Sequence, residues 1–137
     1  MSTSTNETSE GLAGVLRDTI VELVRRDGTD LSARQLGVFL ICYLEPEAQT
    51  VRGLAARLNV SKPAITRALD RLTEFDLVAR KTDPADRRSV LVQRTPDGAA
   101  FLRELRAILR TASTPRREPA RAPAPRSKRM HEARVTH

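Results

Sequence analysis

The sequence predicts a mainly α-helical fold with one small β-hairpin, in the order ααααββα. Three observations point to it. Apolar residues recur at helical spacing from Leu12 to Leu72, broken where cap residues stand. Two short β-prone runs follow at 77–81 and 89–93, joined across Asp83-Pro84-Ala85-Asp86, a type I turn sequence. Helical spacing then returns behind Thr95-Pro96, an N-cap followed by a first-turn proline.

The first helix is expected over Ser9 to Arg26, with Leu12, Val15, Leu16, Thr19, Ile20, Leu23 and Val24 on its stripe and Gly28 placed for a left-handed cap. Ser32 and Gln35 have the spacing of a capping box, flanked by Leu31 and Leu36 as a hydrophobic staple, so a second helix runs through Val38 to Leu44. Pro46 lies just past its end. Thr50 caps a short third helix whose stripe is Val51, Leu54, Ala55 and Leu58. Asn59 tolerates a left-handed corner, and Ser61 caps a fourth helix with Pro63 in its first turn and Ile65, Leu69 and Leu72 inward. A final helix carries Ala99, Leu102, Leu105, Ile108 and Leu109 and ends near Ala112. The folded domain is thus expected at 10–113, after a disordered N-terminus at 1–9. A disordered, basic tail at 114–137, with Pro115, Pro119, Pro123 and Pro125, completes the chain.

The net charge is +7 with a pI near 10.9, a surplus that suits a polyanionic partner. Its distribution is uneven. Residues 1–49 hold four basic and eight acidic side chains, residues 50–94 ten and five, and residues 114–137 seven and two. A solvated surface would explain any one of these runs by itself. No long apolar run and no signal-like N-terminus is present, so no membrane association and a cytoplasmic location are expected. The single cysteine, Cys42, lies in an apolar run without a basic sequence neighbour, so it is read as a buried structural residue rather than a redox sensor. His131 and His137 fall in the tail, and no acid, base, nucleophile and ligand set converges in the expected domain. Neither an enzyme, nor a metal site, nor a cofactor is expected.

Two short helices meeting at a tight corner form a helix-turn-helix, and the following hairpin forms a wing. The outward face of the fourth helix carries Pro63, Thr66, Arg67 and Asp70, flanked by Lys62, Ala64 and Arg71. Arg67 has the planar fork that pairs with guanine, Thr66 offers a hydroxyl and a methyl, and Ala64 can pack on a thymine methyl. Ser61, Lys62 and the helix N-terminus suit phosphate, and Thr50 and Arg52 at the start of the third helix are also expected to bind DNA. Asp70 is expected to pair with Arg67 or Arg71 rather than to touch DNA.

These residues resemble the MarR (multiple antibiotic resistance regulator) family of winged helix-turn-helix repressors. The resemblance rests on Thr50–Leu58 (TVRGLAARL), Val60–Leu72 (VSKPAITRALDRL), the strand LVARK, and DPADRRSVLVQRTPDG from Asp83 to Gly98. It implies a double-stranded DNA-binding transcriptional regulator, in sign a repressor, acting as a homodimer. The resemblance also implies that Asp86 orients Arg88 into the minor groove. Arg87 stays open between phosphate and solvent, and a plain surface pair is the alternative for Asp86 and Arg88.

The chain departs from the family in two places. The last dimerisation helix is replaced by the Pro- and Arg-rich tail, leaving little apolar surface for a partner and implying a weak dimer. Asp76 stands where a glycine is usual before the first wing strand, so a left-handed Asp76 is expected. The family's effector pocket, between the helical bundle and the DNA-binding lobe, implies a small-molecule effector of unspecified chemistry. The competing reading is a winged helix that serves as a protein-interaction or nucleoid-associated module with unspecific DNA affinity.

Overall fold

The computed structural model describes residues 2–26 and 30–114, with the side chains of residues 2–9 excepted. The tail at 115–137 and the cap at Gly28 lie outside the described residues. In chain order the elements are α1 (Ser2–Arg25), α2 (Ala33–Leu44), β1 (Gln49–Thr50), α3 (Val51–Leu58), α4 (Lys62–Glu74), β2 (Val78–Asp83), β3 (Asp86–Arg94) and α5 (Pro96–Ser113).

Local chemistry accounts for most of the helix boundaries. The Ser32 hydroxyl accepts from the Gln35 N–H at 3.1 Å while the Gln35 side chain accepts from the Ser32 N–H at 2.9 Å, a complete capping box. Thr50, Ser61 and Thr95 each accept from the N–H three residues on, opening α3, α4 and α5. Asn59 ends α3 in the left-handed region at φ 58°, and Asp76 adopts φ 61°, as the missing glycine requires.

Two boundaries differ from expectation. α1 begins at Ser2, so residues 2–9, expected to be disordered, continue the helix; no Gly or Pro interrupts them, and extending a formed helix is far cheaper than nucleating one. The wing also gains a third strand, because Gln49 and Thr50 pair antiparallel with Val92 and Leu91 in a sheet of order β1-β3-β2. Two residues, the second of them also the cap of α3, show too little alternation to read as a strand.

The core lies where α2, α3, α4 and the sheet meet. Phe39, Leu54, Ile65, Leu69, Leu72, Val38 and Val78 are its fully buried members. Phe39 stacks on Tyr43 at 4.4 Å and meets the edge of Phe101 from α5 at 5.1 Å, which joins the C-terminal helix to the same core. α1 packs along α5, where Leu105, Ile108 and Thr19 are buried.

Candidate nucleic-acid interface

The fourth helix presents its polar side as the inward stripe dictates. With Ile65, Leu69 and Leu72 sealed in the core, Lys62, Pro63, Thr66 and Arg67 are exposed, and Arg52 is exposed on α3. Among the described residues no ion pair holds Arg52, Lys62, Arg67 or Arg87, so these cations are available to an anionic ligand. Thr50 is half-buried and its oxygen caps α3, while Ser61 is exposed and its oxygen caps α4 from the Ala64 N–H at 3.2 Å.

Three site expectations are corrected by the geometry. Ala64 is only 6% exposed. It falls one turn before Ala68 on the inward side of α4, so its methyl is packed in the core and cannot meet a thymine. Asp70 does not pair with Arg67 or Arg71: its Oδ1 takes Nη2 of Arg80 from β2 at 2.9 Å. Arg71 is instead held by Glu74 at 3.1 Å and lies 4.7 Å over the Phe75 ring, along the C-terminal end of α4.

At the hairpin tip, Asp83 Oδ1 accepts from the Ala85 N–H at 2.9 Å and Asp86 Oδ1 from the Arg88 N–H at 3.1 Å. The Arg88 guanidinium is 3.9 Å from the same carboxylate and its side chain is 91% exposed. The closer contact of Asp86 is therefore with the backbone of Arg88. The carboxylate shapes the turn, and Arg87 and Arg88 project into solvent.

Sequence reasoning missed two arginines, Arg80 and Arg94. Arg94 Nε donates to the Cys42 carbonyl at 2.9 Å and Nη2 to the Glu45 carbonyl at 2.8 Å, satisfying acceptors at the C-terminal end of α2 and fastening the wing base there. Both were legible by strand period. Arg80 shares a sheet face with Val78, and Arg94 with Val92, so each cation extends the face whose apolar members are buried, although both are themselves exposed.

Burial pushes the Cys42 thiol up to about 11, against the opposing field of Arg94. It stays protonated and unreactive at neutral pH. The space enclosed by α1, Leu31, Leu36 and Phe101, between the α1–α5 pair and the lobe, is about 40 Å³. That is far below the roughly 300–1,000 Å³ of usual ligand pockets. A larger open cleft of about 460 Å³ lies between α1 and α5, lined by Val21, Glu22, Arg25, Ala107, Ile108 and Thr111.

The expectation of little spare apolar surface is overturned. Leu12, Leu16, Ile20, Val21 and Val24 of α1 and Leu109 of α5 are 39% to 61% exposed. α1 turns Thr19 toward α5 and leaves a second apolar stripe uncovered.

Comparison with known proteins agrees with this architecture. A family model described as MarR family matches residues 29–89. The transcriptional regulator BldR from Sulfolobus solfataricus superposes with TM-score 0.54 at 32% identity, over 79% of this chain and 78% of that one. The chain belongs to the MarR family. Within that family of transcription regulators, not enzymes, it is 50% identical over 44 residues to the multiple antibiotic resistance protein MarR of Salmonella typhimurium. That match covers 32% of this chain and 31% of the curated relative's length. The S. aureus MepR–DNA complex shares the MarR winged-helix fold with TM-score 0.56 and 17% identity, over 80% of this chain and 82% of that one. Among the described residues no helix is long and apolar enough to cross a membrane.

Proposed function

We propose that this MarR-family chain is a cytoplasmic, sequence-specific regulator of transcription, a repressor, that binds double-stranded DNA as a homodimer. α4 enters the major groove, where Arg67 and Thr66 read base edges, while Lys62, Ser61 and the N-termini of α3 and α4 hold phosphates. Arg88 enters the flanking minor groove and Arg87 borders it.

The observation that carries this reading is the pairing state of the exposed arginines. Arg67, at the groove-facing side of α4, and Arg87, at the hairpin tip, have no ion-pair partner among the described residues, whereas Arg71 is engaged by Glu74. The MepR–DNA complex supports the same use of the fold. The uncovered apolar stripe of α1 supports a second copy as the partner.

Selection of bound duplexes from a random library at about 0.15 M salt tests the reading. Enrichment of an inverted repeat is expected. Arg67→Ala should lose about 1–3 kcal/mol of discrimination, while Lys62→Ala should weaken all duplexes and flatten the salt slope. Equal binding to every sequence would favour the nucleoid-associated alternative.

A further inference from the structure

We infer that Asp70 is a specificity-determining positioning residue that acts by anchoring Arg80, and that Arg80 is an additional phosphate-contacting residue of the DNA-binding face. The inference rests on the DNA-binding reading above.

Asp70 stands on the exposed side of α4, three residues beyond Arg67 and so about 4.5 Å further along the axis. Arg80 reaches it from β2 at 2.9 Å, and among the described residues no other ion pair joins the recognition helix to the wing strands. Its competitors are accounted for: Arg71 is occupied by Glu74 and Phe75, and Arg67 is left unpaired. The guanidinium is thus held at the seam between the element assigned to the major groove and the element assigned to the minor groove. Between two grooves of a duplex runs a sugar–phosphate strand.

Stability does not explain this pair. The Asp70 side chain is 55% exposed, and an ion pair in such a setting contributes little to folding. A carboxylate on a DNA-facing helix also lowers affinity for a polyanion. What the pair does provide is geometry. Arg80 pairs with Asp70 through Nη2 alone, and its guanidinium retains further donors for a phosphate oxygen. An anchored guanidinium meets that phosphate only when α4 is seated in one register. A free arginine on a long side chain would follow the phosphate of any duplex, rewarding correct and incorrect docking alike. Anchoring therefore removes affinity for wrong sites while retaining it for the right one, which is specificity by difference.

The test uses the full chain with its selected duplex and a scrambled duplex at several salt concentrations. Asp70→Asn should bind scrambled DNA roughly three- to tenfold tighter with operator affinity changed less than about twofold, so the ratio falls. Asp70→Glu, which can keep the ion pair, should restore most of the ratio. Arg80→Gln should weaken the selected duplex roughly tenfold and reduce its salt slope by about one, with a much smaller effect on the scrambled duplex. In the Arg80→Gln background, Asp70→Asn should leave the ratio unchanged. Thermal midpoints of all variants should stay within a few degrees of the parent.

An unchanged ratio in Asp70→Asn overturns the specificity role. A loss of ratio that persists without Arg80 shows that Asp70 acts directly and overturns the anchoring. An unchanged salt slope in Arg80→Gln overturns the phosphate contact. Failure of the parent protein to enrich any sequence would instead sink the regulator reading and the specificity role with it, whereas an enriched sequence with an unchanged ratio in Asp70→Asn sinks the specificity role alone.

Discussion

The Tyr43 hydroxyl accepts a hydrogen bond from the Thr95 N–H at 2.9 Å, joining the end of α2 to the start of α5 across 52 positions of sequence. The same oxygen donates to the Leu77 carbonyl at 2.6 Å, and the Thr95 hydroxyl donates to the Asp76 carbonyl at 2.6 Å. One buried phenol thus ties together the core, the wing base and the C-terminal helix. Gly98 is buried against it, and a Cβ there would collide with Tyr43 Oη and the Leu77 carbonyl.

Tyr43→Phe should therefore cost about 1–3 kcal/mol, because it strands a buried acceptor and a partly buried donor rather than removing a whole pair. Gly98→Ala should cost more, since a backbone carbonyl as well as the phenol must move. Urea unfolding followed by circular dichroism measures both. A Tyr43→Phe midpoint equal to the parent's would show that the hub contributes nothing.

Asp86→Ala should reproduce the loss of DNA affinity of Arg88→Ala, and the two should not add, because Asp86 holds the backbone of Arg88 in the turn. Asp86→Asn keeps an oxygen acceptor for that N–H and should bind nearly as well as the parent. If Asp86→Asn is as defective as Asp86→Ala in gel-shift titrations, the carboxylate charge matters and the turn does not.

Cys42 should make the fold lose stability in alkali. Burial raises its folded-state value from 9.0 to about 11, so the folded state holds the proton more tightly and stability declines as pH rises from about 9 through about 11. The contribution is on the order of 2 kcal/mol. Comparing urea midpoints of the parent and Cys42→Ala from pH 7 to pH 11 isolates it from other titrations. Parallel curves would refute it. At pH 7.5 the folded thiol should also resist alkylation, and mild peroxide should leave DNA binding unchanged.

The exposed stripe of α1 should carry the homodimer. Leu16→Glu with Ile20→Glu should shift sedimentation from dimer toward monomer at about 10 μM, while the thermal midpoint extrapolated to low concentration changes little. A parent protein that sediments as a monomer with and without its duplex would remove the dimer from the proposal.

The local chemistry of this chain was legible in its residues. Capping oxygens at Ser32, Thr50, Ser61 and Thr95 act within three positions, so their partners are given by spacing, and the left-handed Asn59 follows from the corner it closes, while the left-handed Asp76 was implied by the family resemblance. The inward stripe of α4 followed from the helical period, and with it the outward Thr66 and Arg67. Contacts between elements were another matter. The partner of Asp70 lies on a strand, the carbonyls that hold Arg94 lie at the end of a helix about fifty positions away, and the burial of Ala64 depends on how α4 is rotated against the core. Hydrogen bonds and ion pairs are short-ranged, so spacing decides them only when both partners share one turn. Across elements the packing of the core decides which side chains come within reach.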